Sequence, residues 1–214
     1  MSTVTVNTKR MRIMIGILGI LLPWLVALIT LSWPDSVSAT YYSLFAVGTF
    51  MVVLGSAGIL LINYKGYDKV DDITATIAGI CGIMICLFPT TYKADPSILT
   101  GIFHLPSNIS NLIHSISAFG FFGVLAYMSF FLFTKTSGEL TPQKKIRNII
   151  YRVCGVGMLA AFLLLPLKLI PGFECHNLVW IIEAIALFFF GFSWIVKSDS
   201  VPMLRDKINV ERKE

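Results

Sequence analysis

Six apolar segments run along the chain, and short polar segments separate them. We predict membrane spans at residues 13–31, 41–62, 73–88, 108–133, 149–170 and 177–196. The last of these would extend about 30 Å as a helix, which matches the hydrocarbon core of a bilayer. The first is longer than the apolar core of about 7–15 residues in a signal peptide, so we expect it to be retained. The pattern therefore predicts an all-α membrane protein, a single bundle of six transmembrane helices.

The composition indicates that most of the protein surface is in contact with lipid. Of 214 residues, 56% are hydrophobic and 14% are charged, whereas a soluble domain has about 25% charged residues. The net charge of +5 does not predict a nucleic-acid partner, because the basic residues are dispersed in short segments between the apolar runs. The four cysteines form no CxxC pair that would indicate a zinc or iron–sulfur framework. Cys86 and Cys175 could form a disulfide.

The distribution of lysine and arginine predicts the orientation. If both termini share one side, only Lys93 and Lys168 fall on the other side. Loops rich in lysine and arginine remain in the cytoplasm. We therefore predict a multi-pass protein of the bacterial inner (plasma) membrane with both termini cytoplasmic. It would have an N-terminal arm at 1–12, a transmembrane domain at 13–196 and a charged cytoplasmic tail at 197–214.

One carboxyl group lies deep in an apolar segment. Glu183 stands inside the sixth predicted span, and an ionisable group there costs a few kcal/mol, so by default it marks a functional site. Trp180 and His176 share its helical stripe, because residues three, four and seven apart lie on one face. Polar residues of other segments are also predicted near the outer surface. The candidate ligand-binding residues in the outer half are Glu183, His114, His176, Asn111, Ser117, Trp180, Ser38, Tyr41, Tyr42 and Lys168.

These residues leave several functions open. We expect an outward-facing polar site that binds a small or lipidic ligand. Alternatively, His114, His176 and Glu183 could hold a zinc ion with an open position for water, as in a metal-assisted hydrolase that acts on a lipid. No HxxxH or HExxH spacing supports a metal, and the cofactor is left open. Glu183 could instead pair with Lys168, and His114 could hydrogen-bond across a helix interface.

A third function is an oligomeric channel or a pore-forming membrane effector, because several copies could form a pore between them. The expected partners are membrane lipids, with a second copy of the chain or another membrane protein as further possibilities. The basic loop 134–148 and the tail would then be the docking surfaces.

Four short motifs carry a resemblance to a known family. They are SATYY at 38–42, YKGYD at 64–68, LFP at 87–89, and Arg147 to Tyr151 followed by Cys154-Gly155. Together they resemble a family of bacterial six-span integral membrane proteins without an established activity, which implies the fold but no site residues. The chain is more distantly similar to the alkaline ceramidase and adiponectin-receptor-like membrane hydrolases, which bind zinc in a seven-span bundle. The paired histidines of their last span are absent here.

Overall fold

A computed structural model describes residues 3–206, except residues 96, 137 and 173. The six α-helices in this part of the chain are α1 Thr3–Thr30, α2 Val47–Ile62, α3 Lys69–Leu87, α4 Ser107–Tyr127, α5 Pro142–Phe162 and α6 Leu178–Lys197. A π-helical turn, Met128–Leu132, continues α4. Three 3-10 turns lie at Ser38–Tyr42, Leu165–Leu169 and Pro202–Leu204, and two short strands, β1 Leu99–Thr100 and β2 Leu105–Pro106, form an antiparallel hairpin.

The helices form a closed ring in sequence order. Each helix packs against the next, and α1 also packs against α6. Phe121 of α4 and Phe190 of α6 fill the middle of the ring, with ring centroids 5.7 Å apart. Arg12 near the start of α1 donates a hydrogen bond to the carbonyl oxygen of Lys197 at the end of α6. Both described ends of the chain therefore lie at one end of the bundle, here called the termini end. The other end, formed by the described residues within 31–46, 88–106 and 163–177, is called the loop end.

Five helical segments in the described part of the chain are long and apolar enough to cross a membrane. They are Asn7–Thr30, Lys69–Leu87, Ser107–Leu132, Pro142–Leu169 and Leu178–Lys197. Helix α2 has 16 residues and is about 24 Å long, which is shorter than the hydrocarbon core. The chain is therefore an all-α membrane protein. Five of its described helical segments are long enough to span the bilayer, and the remaining apolar helix, α2, is shorter.

The second predicted span, 41–62, is shorter than expected because its first residues do not join the helix. The amide of Ser43 donates to the carbonyl of Thr40, and the Thr40 hydroxyl donates to the carbonyl of Val37. Such local bonds from serine and threonine compete with a continuous helix. Residues 38–42 consequently form a 3-10 turn, and α2 begins only at Val47.

Two other helix boundaries differ from the predicted spans. Helix α5 begins at Pro142, with Thr141 as its N-cap, and not at 149. It ends at Phe162, ahead of Pro166, because proline lacks an amide donor and restricts the residue before it. Helix α1 is already helical from Thr3, so most of the predicted arm 1–12 belongs to that helix.

Glycine pairs set the closest helix contacts. A Cβ atom built on Gly191 of α6 would lie 2.3 Å from the carbonyl oxygen of Gly16 in α1, and one on Gly79 of α3 would lie 2.5 Å from that of Gly58 in α2. Only glycine permits this approach of two backbones, as in other membrane helix pairs. Gly48 of α2, in contrast, has no such neighbour within 4 Å, so it does not mediate a close helix contact.

The first part of the predicted tail packs against the bundle. Arg147 of α5 donates to the carbonyl oxygen of Leu204, and it forms an ion pair with Asp206 at 2.7 Å. Residues 198–206 therefore cover the termini end of α5. The rest of the predicted tail lies outside the described residues.

Candidate functional site

A cleft of about 410 Å³ opens at the loop end of the bundle. Its walls come from the two long loops of this end, from the 3-10 turn Leu165–Leu169 and from the first turn of α6. The lining residues are Asp35, Ser36, Ala39, Tyr42, Thr90, Thr91, Tyr92, Lys93, Ala94, Lys168 and Val179. The cleft therefore brings together segments that lie more than a hundred residues apart in the sequence.

Glu183 stabilises one wall of the cleft, the turn at residues 36–39, although it does not line the cleft itself. One carboxyl oxygen accepts a hydrogen bond from the backbone amide of Val37 at 2.6 Å, and the other accepts one from the Ser38 hydroxyl at 2.8 Å. The Ser36 hydroxyl in turn accepts a hydrogen bond from the amide of Ala39 at 2.8 Å. The partly buried Glu183 thus fixes the turn that presents Ser36 and Ala39 to the cleft.

Asn111 of α4 holds the opposite wall. Its side-chain oxygen accepts hydrogen bonds from the Thr90 hydroxyl at 2.8 Å and from the amide of Thr91 at 3.2 Å. The Tyr42 hydroxyl crosses between the walls and donates to the carbonyl of Thr90 at 2.6 Å. Burial raises the pKa of Tyr42, so this hydroxyl keeps its proton at neutral pH and continues to donate.

The mouth of the cleft carries charged residues of both signs. Asp35 forms an ion pair with Lys93, which joins the two walls near the surface. The hydrogen bond from Lys93 lowers the pKa of Asp35, and the nearby charges of His176 and Lys168 lower it further. In the described part of the chain Lys168 forms no ion pair of its own. It is exposed, so its ammonium group is available to a ligand.

Two of the ten predicted site residues line this cleft, and three more fix its walls. Tyr42 and Lys168 are part of the lining, whereas Glu183, Ser38 and Asn111 fix its walls through hydrogen bonds. The structure therefore places these residues together at one end of the bundle, with different roles from those that the sequence suggested.

The other predicted residues lie further from the cleft. His114 is buried, and its Nδ1 lies 2.8 Å from the carbonyl oxygen of Phe88. Ser117 is buried one turn further along α4, and His176 is exposed before α6. Tyr41 packs its ring against that of Tyr42, with centroids 5.4 Å apart.

Trp180 stabilises the loop end through its backbone and its ring. Its amide donates to the carbonyl of Asp35 at 3.1 Å. Its ring packs edge-on against Trp24 and Trp33, with centroids 5.5 and 4.8 Å away. The residue therefore anchors α6 to α1 and to the loop that carries Asp35.

The three residues considered for a metal do not converge. Glu183 is bonded to Val37 and Ser38, and His114 contacts Phe88. Within the described ranges, no group of three or more histidine, cysteine, aspartate or glutamate side chains is placed to hold a metal ion. The predicted pairing of Glu183 with Lys168 is also not found, because Val37 and Ser38 supply the partners.

The disulfide that was left open between Cys86 and Cys175 is not formed, and all four cysteines are free thiols. Lys93 lines the cleft but was not predicted to be a site residue. The sequence could have indicated it, because Lys93 is one of only two basic residues on the predicted outer side, where Asp35 also lies.

The chain matches no protein-family model, no curated protein and no solved structure. The resemblance to a family of six-span bacterial proteins stays a prediction.

Proposed function

We propose that the chain is a multi-pass protein of the cell inner membrane, with both termini in the cytoplasm and the cleft facing outward. Its charge distribution supports this orientation. Lys93 and Lys168 lie at the loop end, and the other described lysines and arginines lie toward the termini end. Positively charged loops are retained in the cytoplasm, so the termini end is the cytoplasmic one.

Labelling tests the orientation. In a variant without the four native cysteines, Lys145→Cys should react with a membrane-impermeant maleimide only after the cells are lysed. Reaction in intact cells would place the termini end outside and would contradict the proposal.

We propose that the outward cleft binds a small or lipidic ligand that carries an acidic group. The observation that carries this proposal is a cleft of about 410 Å³ whose walls are fixed from behind by Glu183 and Asn111. Ligand sites have volumes of about 300–1,000 Å³ and are usually formed before the ligand arrives. Fixed walls also reduce the ordering cost of binding.

The charge and the surroundings of the cleft favour an acidic amphiphile. Lys168 offers an ammonium group that has no ion-pair partner among the described residues, and the rings of Tyr42 and Tyr92 lie 4.9 Å apart in the lining. Next to Lys168, Leu163 and Leu169 are 78% and 83% exposed. An apolar chain could lie along these leucines at the membrane surface, while its acidic group meets Lys168.

A fluorescent fatty acid tests this function. We expect dansyl-labelled undecanoic acid to bind the purified full-length chain in mild detergent. Lys168→Met should weaken binding by about tenfold, because a hydrogen bond to a charged group contributes roughly 1.5–3 kcal/mol. Lys145→Met, which removes the same charge from an exposed position at the other end, should bind like the wild type. No binding, or equal binding by the Lys168→Met variant, would refute the proposed site.

A further inference from the structure

A second pocket lies at the termini end of the bundle, far from the cleft along the helices. It has a volume of about 330 Å³, and basic residues dominate its polar lining. The lining residues are Tyr67, Lys144, Arg147, Tyr151, Lys197, Asp199, Arg205 and Asp206. Lys144, Arg147 and Tyr151 come from one face of α5, since they are three and seven residues apart.

Three of the basic side chains in this pocket are buried. Lys144, Arg147 and Lys197 are 8%, 7% and 4% exposed. Burying a charged group is costly unless it is paired and hydrogen-bonded. Arg147 meets this requirement through Asp206. Neither Lys144 nor Lys197 has a carboxylate partner among residues 3–206 as described.

The two lysines share one acceptor. The Nζ atom of Lys144 lies 2.9 Å, and that of Lys197 3.3 Å, from the carbonyl oxygen of Phe133. The amide of Phe133 donates to the carbonyl of Met128 and closes the π-helical turn, and the carbonyl of Phe133 accepts from the two lysines at the end of this turn. Each ammonium group has three N–H donors. Two donors on each lysine therefore have no protein acceptor within the described residues.

Aromatic rings keep Lys197 in place without a counter-ion. Its Nζ lies 4.5 Å from the ring centroid of Tyr67, 5.1 Å from that of Phe133 and 5.9 Å from that of Tyr151. Cation–π contacts of this kind stabilise an ammonium group but supply no oxygen acceptor for its N–H donors. Behind the pocket, Arg12 donates to the carbonyl of Lys197 and adds a further positive charge.

We propose that this pocket binds a phosphate group. The oxygens of a phosphate would accept the free donors of Lys144 and Lys197, beside the guanidinium of Arg147. Asp206 already pairs with Arg147, and Asp199 is exposed at the rim, so neither carboxylate fills the space between the lysines. The proposal is independent of the outward cleft.

Two sources present the same phosphate chemistry at this end of the bundle. One is a soluble phosphate compound. The other is the headgroup of an anionic lipid, which basic pockets between membrane helices recognise. Lys144 lies in the first turn of α5 and Lys197 at the last residue of α6, so the pocket is at the level where either source can reach it.

Binding of inorganic phosphate tests the proposal. The full-length chain in a neutral detergent should show a rise in melting temperature with sodium phosphate, and no comparable rise with sodium chloride at equal ionic strength. Lys144→Met and Lys197→Met should each weaken phosphate binding at least about tenfold, since each removes charged donors. Lys145→Met removes the same charge from the neighbouring exposed position and should respond like the wild type.

Loss of fold is distinguished from loss of the site by the melting temperature without phosphate. Methionine keeps much of the lysine volume and removes a buried charge that has no carboxylate partner among the described residues, so the desolvation cost of that charge disappears. A Lys197→Met variant that is as stable as the wild type but does not respond to phosphate supports the proposal. Full response of both lysine variants, or no response of the wild type, would overturn it.

Nanodiscs identify the source of the phosphate. If phosphatidylglycerol in the bilayer abolishes the response to inorganic phosphate, and the lysine variants retain less of this lipid after purification, the ligand is a lipid headgroup. If phosphate binds equally in zwitterionic and anionic nanodiscs, the ligand is soluble. A response that is equal in the wild type and in both lysine variants, in either bilayer, would place the anion elsewhere and refute the site.

Discussion

Glu183→Gln should make the turn at residues 36–42, which forms one wall of the cleft at the loop end, open more often without unfolding the helix bundle. In the native chain both carboxyl oxygens accept hydrogen bonds, one from the amide of Val37 and one from the hydroxyl of Ser38. Glutamine keeps a single acceptor oxygen. Its NH₂ group would face the other donor, and one of the two hydrogen bonds would be lost.

The magnitude follows from the burial of these donors. Val37 is 2% and Ser38 is 9% exposed, so water cannot readily replace the lost acceptor. Leaving a buried donor without a partner costs roughly 1–3 kcal/mol. A loss of about 2 kcal/mol in the local opening free energy corresponds to roughly 30-fold faster amide exchange.

Hydrogen exchange measured by mass spectrometry is the direct assay. Peptides that cover residues 36–42 should exchange faster in the Glu183→Gln variant, while peptides from the middle of α4 should be unchanged. Ser38→Ala removes one donor and should produce a smaller effect. Combined with Glu183→Gln it should be less than additive, because the two residues share a hydrogen bond.

Unchanged exchange at residues 36–42 would refute this account of Glu183. Equal acceleration throughout the bundle would also refute it, since Glu183 would then support the whole fold and not the cleft wall. In the predicted case, binding of dansyl-labelled undecanoic acid should weaken together with the faster exchange.

Two further predictions concern the mouth of the cleft and the helix contacts. Lys93 lowers the pKa of Asp35 in the folded state. Their ion pair therefore stabilises the fold at a pH above the pKa of Asp35 in the unfolded chain, about 4, and this stabilisation is lost as the pH falls through the lower pKa of the folded state. Lys93→Met should therefore reduce the drop in melting temperature in acid, by an amount that salt diminishes, since the pair is exposed; an unaltered pH profile would contradict this. Gly191→Ala should destabilise the chain by roughly 1–3 kcal/mol in denaturant unfolding, because its Cβ would lie 2.3 Å from the carbonyl oxygen of Gly16. Gly48→Ala, with no such atom within 4 Å, should be neutral or stabilising by up to about 1 kcal/mol, and a loss equal to that of Gly191→Ala would show that helix approach is not the cause.

The helical segments could be predicted because each depends on its own residues. An apolar run must form internal hydrogen bonds wherever it meets lipid, and a helix satisfies them within the segment. The cap of α3 is equally local: Asp68 accepts hydrogen bonds from the amides of Val70 and Asp71, as expected for an aspartate before an apolar run.

One boundary that was wrong, the start of the second span, depends also on a contact from elsewhere in the chain. The apolar residues before Val47 read as part of a span, yet residues 38–42 form a 3-10 turn. The turn is stabilised by Glu183, which lies 145 residues after Ser38 in the chain. A hydrophobicity pattern contains no information about such a partner.

The two sites differ in how far the sequence could indicate them. Glu183 was recognised as unusual from its apolar surroundings alone, but its partners could be read only from the fold. Lys144, Arg147 and Lys197 looked like ordinary basic residues at the ends of spans, because positive charge there also reports orientation. Their burial in one pocket became visible only when α5 met α6.

The sequence by itself determined that this is a helical membrane protein, where its apolar segments lie and that positive charge is concentrated toward one end, since hydropathy and charge belong to single residues. Tertiary structure decided which polar groups meet. In the fold Glu183 accepts a hydrogen bond from Ser38, and Asp35 forms an ion pair with Lys93. Two lysines donate to the carbonyl of Phe133. These contacts depend on how the six helices are arranged around the ring. The angular position of one helix relative to another is set by packing between helices, so the sequence of a single segment does not reveal it.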